Sequence, residues 1–241
     1  MSQLGSTSGW ESYDSLQSEE GFMATILITG ANRGIGLELS RQLRERGDEV
    51  IAVCRRGSPE LEALGVRLFE DVDVTDRAAL ESVSRALGDT KIDILVNNAG
   101  IFGNESFDSL DFDQIRRQFE VNALGALRVT SILDRHLPQG AKIILITSRM
   151  GSIGDNGSGG YYGYRMAKAA LNMAGVNLAH DFRSRGISVA ILHPGLVATE
   201  MTGRHGIAAA DSAQGLIARM DELRLQDSGG FWHANGERLP W

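Results

Sequence analysis

From Thr25 onward, short runs of consecutive apolar residues alternate with longer stretches in which apolar positions recur every three or four residues. The runs TILIT (25–29), EVIAV (49–53), VRLFE (66–70), DILVN (93–97), KIILIT (142–147) and ISVAIL (187–192) are rich in β-branched residues. Several are apolar at successive positions, which marks strands covered on both faces rather than one. The intervals 35–46, 76–87, 111–136, 164–185 and 212–223 read as helices. Thr75 and Asp111 stand near two helix starts, and Gly47 and Gly186 lie just past two helix ends, residue types those positions favour. Strands alternating with helices through short turns predict βαβ crossovers. The expected fold class is α/β: a single-domain, doubly wound parallel sheet of about seven strands with helices on both faces, spanning about 23 to 241.

Composition agrees with one globular domain: 241 residues, 42% hydrophobic and 23% charged. The formal net charge is -7, but residues 1–22 hold four acids and no base, so the rest is close to neutral. That excludes a general nucleic-acid binder, which needs a basic face. The same segment is rich in Ser, Gly and Gln without periodicity, and reads as a disordered or appended N-terminal extension. No apolar run approaches the roughly 18 to 20 residues of a membrane span, and no leader pattern opens the sequence. A soluble, cytoplasmic protein without membrane partner is expected. Cys54 is the single cysteine, and the five histidines are scattered, so no metal site is expected.

The first strand runs directly into TGANRGIG, residues 29–36, which opens a helix. Gly30 suits the tight turn, Gly34 lets backbone approach a phosphate, and Gly36 permits helix and strand to pack closely. The helix N-terminus adds free N–H groups and the positive end of its dipole. Gly30, Asn32, Arg33, Gly34, Ile35 and Gly36 are therefore candidates to cradle a dinucleotide phosphate. The loop lacks the Gly-Lys-Ser/Thr ending of a nucleoside-triphosphate loop. After the second strand comes AVCRRG (52–57), with Cys54 where an acid would hold a ribose 2'-hydroxyl. Arg55 follows it and Arg33 lies in the glycine loop, so both can converge on a 2'-phosphate, and NADP(H) is expected over NAD(H). Asp73, with Val74 beside it, ends the third strand as a candidate to accept from an adenine amino group; Asp71 competes for that role.

Three tyrosines crowd YYGYRMAK, residues 161–168. Tyr164 and Lys168 are i and i+4, hence on one helical face, whereas Tyr161 has Arg165 at that spacing and Tyr162 has Met166. Bringing a tyrosine from about 10 toward neutrality takes roughly 4 kcal/mol. An exposed helical pair supplies only about 0.3 to 0.5 kcal/mol. Lys168 must act in a water-poor cleft, helped by the positive charge of an oxidised nicotinamide.

With TGANRGIG, Asp73-Val74, NNAG (97–100), Asn122 in FEVNALGAL, Ser148 in IILITSRMGS, YRMAK and HPGLVATEM (193–201) in this order, the chain resembles the short-chain dehydrogenase/reductase family over residues 23–241. SRMGSIGDNGSGGYYGYRMAKAALN and the ending GGFWHANGERLPW resemble its C-factor and sniffer-like carbonyl reductase branch. The resemblance implies a Rossmann-type domain in which Tyr164 protonates a carbonyl oxygen, Ser148 steadies that oxygen, Lys168 holds the nicotinamide ribose, and Asn122 keeps a water linked to Lys168. Ser148 lies 16 positions before Tyr164, about three more than usual for the family, which leaves Ser152 as an alternative. Asn98, Ala99 and Gly100 are implied under the adenosine side of the cofactor, and Pro194, Gly195, Val197 and Thr199 around the nicotinamide. Thr147 stands where a second serine is common and keeps its hydroxyl.

The segment 199–214 is short, with two glycines and a run of alanines, and implies an open pocket formed also by Ile101, Phe102, Arg149, Met150, Tyr161 and Leu196. Arg149 either meets an acidic substrate or is simply exposed. The expected activity is reversible, NADPH-dependent reduction of a small-molecule ketone or aldehyde; the alternative is a dinucleotide-binding signalling protein with little turnover. The family commonly assembles through its two longest helices, here about 111–136 and 164–185, so a homodimer or homotetramer is expected.

Overall fold

The computed structural model describes residues 24–241, so the N-terminal extension read from the sequence lies outside the described residues. Seven strands form one parallel sheet: β1 Thr25–Thr29, β2 Glu49–Val53, β3 Arg67–Phe69, β4 Ile94–Asn97, β5 Lys142–Ile146, β6 Ser188–His193 and β7 Gly230–His233. Their order is β3-β2-β1-β4-β5-β6-β7. β1 pairs with β2 on one side and β4 on the other, with Ile26 opposite Val50 and Ile94. The chain winds outward in one direction and then returns to wind in the other, which opens a crevice at the carboxyl ends beside β1.

The apolar runs explain the layers. Ile26 and Ile28 of β1 face one helical layer, together with Leu39, Leu43, Leu216 and Met220. Leu27 between them faces the other, with Val83, Leu87, Val129, Leu133 and Leu171. Strands buried on both faces are the reason their sequences carry no polar alternation. The first layer holds α1 Gly34–Arg46, the short α2 Pro59–Glu62 and, later in the chain, α7 Ala209–Glu222. The second holds α3 Arg77–Leu87, α4 Phe112–Phe119, α5 Ala126–Leu133 and α6 Tyr162–Asp181.

Helix signals in the sequence are honoured with small shifts. Asp76, one residue after Thr75, caps α3 by accepting from the amides of Ala78 and Ala79. Asp111 caps α4 in the same way through Asp113 and Gln114. Gly47 and Gly186 adopt the left-handed conformation that ends their helical stretches.

Three features depart from the sequence pattern. The interval 111–136 is not one regular helix: a π segment, Glu120–Gly125, joins α4 to α5 and contains Asn122. The apolar period runs through it unbroken, so the sequence gives no sign of the extra turn width. α2 forms where Ser58 caps a turn that begins with Pro59. β7 is the four residues GFWH, begins on a glycine and has no β-branched residue, so no apolar run marks it. No described helix is long and apolar enough to cross a membrane.

Candidate active site

The carboxyl ends of β1, β2, β4, β5 and β6 surround a cleft of about 1810 Å³. Every sequence-nominated cofactor residue lies in its wall, as do Ser148, Tyr164 and Lys168. Asn122 does not; it is buried behind the segment Gly100–Ile101.

At one end the glycine loop is held shut by close approach. A Cβ on Gly36 would stand 2.2 Å from the carbonyl oxygen of Gly30, and one on Gly30 would stand 2.9 Å from Cα of Ala99. Gly34 also has φ +54, a region side chains rarely adopt. Asn98 braces the loop from β4, its amide donating to the carbonyls of Thr29 and Gly30 at 3.0 Å each. The Thr29 hydroxyl ties the same segments from the other side, accepting from the amides of Asn98 and Ala99 at 3.1 Å. Helix α1 starts here with no side-chain cap and no acid in its first turn. Its N–H groups are left for an anion, which fits a dinucleotide pyrophosphate.

The arginines at this end diverge. Arg33 is ion-paired with Glu200, across the cleft in the turn after Thr199, and both side chains are exposed. Arg55 has no carboxylate partner among the described residues and remains in the wall near Cys54. Glu70, just past β3, accepts from the amide of Gly57 at 2.6 Å, and burial together with the Glu70 charge pushes the Cys54 thiol up. Asp73 lies in the wall and Asp71 does not. Partial burial pushes the Asp73 carboxyl up, but the Thr75 amide and hydroxyl and the Arg117 guanidinium outweigh this and hold it below its ordinary value.

The other end carries the titratable groups. Ser148 follows β5 and caps a turn, its Oγ accepting from the Met150 amide at 3.1 Å. Ser152 is buried outside the cleft wall, where its Oγ accepts from the amide of Asp155, so Ser148 is the serine that faces the cleft. The hydroxyl of Thr147 points instead into the fold, where it donates to Asn172 Oδ1 at 2.7 Å and fastens α6 to β5. A second fastening comes from Lys168, whose Nζ donates to the carbonyl of Ile146 at 2.8 Å.

Tyr164 is buried beside Ser148, and Phe102 meets it edge to face with ring centroids 4.9 Å apart. Burial pushes the Tyr164 hydroxyl up to about 12, opposed by the hydroxyl of Ser148. Burial pushes the Lys168 ammonium down to about 8. Tyr164 and Lys168 are both buried, but this environment alone keeps the tyrosine protonated. Asn122 engages the backbone of Ile101 twice, Oδ1 accepting from its amide at 2.8 Å and Nδ2 donating to its carbonyl at 2.9 Å. These bonds use one N–H and one lone pair of its amide, and they fix the strand-to-loop segment that carries Gly100 past Lys168.

Tyr161 lines the cleft with its ring 5.6 Å from that of Phe102, while Tyr162 turns outward to Phe107. Arg149 pairs with Asp155 and with Glu237, each at 2.8 Å.

Sequence reasoning passed over His193, although HPGLVATEM contains it. It ends β6 in the cleft wall, with ring centroid 4.9 Å from His233. Burial, with the charges of His233, Arg149 and Lys168 around it, pushes it down to about 3, so the imidazole is neutral. Arg165 and Glu200 were also missed, because their place in the wall depends on tertiary turns.

Comparison with known proteins gives the same picture. The family model for short chain dehydrogenase matches residues 24–208. The chain is 43% identical over 226 residues to the 1-hydroxy-2-glutathionyl-2-methyl-3-butene dehydrogenase of Rhodococcus sp. (strain AD45), covering 91% of this chain and 100% of that one. It is 43% identical over 154 residues to C-signal of Myxococcus xanthus, covering 62% and 93%. Among solved structures, the NADPH-bound carbonyl reductase from chicken fatty liver superposes with a TM-score of 0.83 at 29% identity, covering 91% and 99%. The chain belongs to the short-chain dehydrogenase/reductase family.

Proposed function

We propose that this protein is an NADPH-dependent carbonyl reductase, reversible as an alcohol dehydrogenase, in which Tyr164 transfers the proton. The observation that carries the reading is the buried Tyr164 hydroxyl beside Ser148, with Lys168 on the same helical face, at one end of a cleft whose other end is an open helix N-terminus. A nicotinamide dinucleotide, when bound, supplies the hydride.

The chain's own groups do the rest. Ser148 donates a hydrogen bond to the substrate oxygen and holds it at Tyr164. The Tyr164 hydroxyl gives that oxygen its proton, and the Lys168 ammonium stabilises the phenolate left behind. A tyrosine held protonated suits this direction of proton transfer. Lys168 has N–H groups left after its bond to Ile146, and with these it would hold the nicotinamide ribose. Asn122 is a positioning residue: it fixes Gly100 and Ile101 rather than touching substrate.

Gly30, Asn32, Gly34, Ile35 and Gly36 would hold the pyrophosphate, Asp73, Val74, Asn98, Ala99 and Gly100 the adenosine side, and Pro194, Gly195, Val197 and Thr199 the nicotinamide. Preference for the 2'-phosphate rests on Arg55, on the absence of an acid at Cys54, and on Arg33. An exposed ion pair such as Arg33–Glu200 is worth about 0 to 1 kcal/mol, so a phosphate can take Arg33 from it at little cost. The Rhodococcus relative is named for a glutathionyl alcohol, and the large cleft here has room for a similarly extended substrate.

We further propose a cytoplasmic homodimer or homotetramer built on α4, α5 and α6. Phe112, Leu127, Met166 and Met173 on these helices are exposed.

The decisive assay is NADPH oxidation against aldehydes, ketones and quinones, with Tyr164→Phe as control. Turnover by wild type that the variant loses supports the proposal. Tight NADPH binding with no turnover on any substrate would favour a dinucleotide-sensing regulator.

A further inference from the structure

Seven arginines line the cleft, and their partners sort them. Arg33, Arg117 and Arg149 are each paired with a carboxylate. Arg55 and Arg56 stand at the glycine-loop end. Arg165 stands at the Tyr164 end and Arg204 on the turn after Thr199, neither with a carboxylate partner among the described residues. They differ in how they are held. Arg204 rides on an exposed turn, and no bond to its guanidinium is found among the described residues. Arg165 is half-buried and fixed by three neutral oxygens: Nε donates to the carbonyl of Gly159 at 3.3 Å, Nη1 to that of Met150 at 3.4 Å, and Nη2 to Ser158 Oγ at 2.8 Å.

A guanidinium has five N–H donors in a rigid fork. Three are used here, leaving one on each terminal nitrogen, the number a carboxylate takes in a two-bond pairing. The backbone is bent to make this holder. Gly159, Gly160 and Tyr161 are consecutive left-handed residues, and Tyr161 adopts φ 52 although it has a side chain. Its amide is secured by the carbonyl of Glu105 at 2.8 Å. Tyr161 and Arg165 are i and i+4, so the aromatic pair Phe102–Tyr161 and the guanidinium form one wall. Asp155, the acid on the same wall, is occupied by Arg149.

We infer that Arg165, with Phe102 and Tyr161 beside it, is a subsite for a carboxylate carried by the substrate, so that the preferred substrates are carbonyl compounds or alcohols with an apolar or aromatic body and an anionic tail. The inference rests on the oxidoreductase reading and adds the substrate class.

The test compares 3- and 4-formylbenzoate with their methyl esters, using NADPH, in wild type, Arg165→Met and Arg165→Lys. The expected result is a preference in kcat/KM for at least one carboxylate over its ester of roughly ten- to hundredfold, the range for hydrogen bonds to a charged group. The ratio should fall toward one in Arg165→Met and recover partly in Arg165→Lys. A role in folding alone would lower both substrates and leave the ratio intact, which overturns the inference, as does equal use of acid and ester by wild type. Calorimetric titration of the hydroxymethylbenzoates and their esters into NADP-loaded protein reads the subsite without turnover. Tighter binding of the acid, lost in Arg165→Met, upholds the subsite even if neither aldehyde is reduced; equal binding sinks it.

Discussion

The Lys168 ammonium stands 5.7 Å from the centre of the Tyr164 ring and is anchored to the carbonyl of Ile146. Its burial works against the fold: the pKa drops from 10.5 to about 8, so the folded chain binds this proton more weakly than the unfolded chain does. The cost is complete below about pH 8 and fades as pH rises toward 10.5. Lys168→Met is therefore expected to abolish turnover and, since the lost bond to Ile146 counts equally at every pH, to compare more favourably with wild type in unfolding free energy at pH 7 than near pH 10, by about 2 to 3 kcal/mol. Urea unfolding of both proteins at the two pH values measures it; the same difference between variant and wild type at both would contradict the claim.

Replacing Tyr164 by Phe removes the hydroxyl beside Ser148 and keeps the ring against Phe102. We expect kcat to fall about 100- to 10,000-fold, the span of general acid catalysis, with little change in NADPH affinity. Retention of more than a tenth of wild-type activity would move the proton donor elsewhere.

Arg55→Asp puts an acid beside the position where the 2'-phosphate would lie. NADPH binding should weaken roughly tenfold or more while NADH binding stays within a few-fold, as expected for loss of one charge-assisted contact. Fluorescence titration with both dinucleotides checks this, and an equal loss of both would remove Arg55 from the phosphate site.

Gly36→Ala forces a methyl group to within 2.2 Å of the Gly30 carbonyl. Overpacking of this kind costs about 1 to 3 kcal/mol, and here it also opens the cradle, so lowered stability and lost dinucleotide binding should appear together. Gly157→Ala, which meets nothing within 4 Å, is the control and should stay within about 0.5 kcal/mol of wild type. A Gly36→Ala protein that binds normally would show that the cradle tolerates a methyl group there.

Met173 is 63% exposed on α6, so Met173→Glu should leave the fold intact while converting the proposed oligomer to a smaller species. Sedimentation velocity decides: an unchanged oligomer places the interface elsewhere, and a wild-type monomer removes it.

Much of the fold and site is legible in the residues alone. Strands such as TILIT and KIILIT announce themselves because burial on both faces leaves no polar alternation, and the glycine loop because strand, turn and helix follow in order. Tyr164 stands out among its neighbours by one lysine a helical turn away. What escapes depends on contacts between distant segments. The π segment at Asn122 leaves the apolar period intact, β7 is too short and begins on a glycine, and the pairing of Arg33 with Glu200 joins positions 167 residues apart. His193 is easily overlooked beside Pro194 and Gly195 because only the fold shows its ring in the cleft.

Thr147 holding Asn172, Asn172 reaching Gly151, and Lys168 holding Ile146 make the end of β5 and the first turns of α6 a single riveted block. Ser148 and Tyr164 belong to that block, whereas residues 152–161 hang from its two sides like an interchangeable cartridge. A change in the length of that cartridge is therefore expected to leave the proton donor in place, which fits the chain's wide serine-to-tyrosine gap and marks the place where new substrate ranges could be grafted.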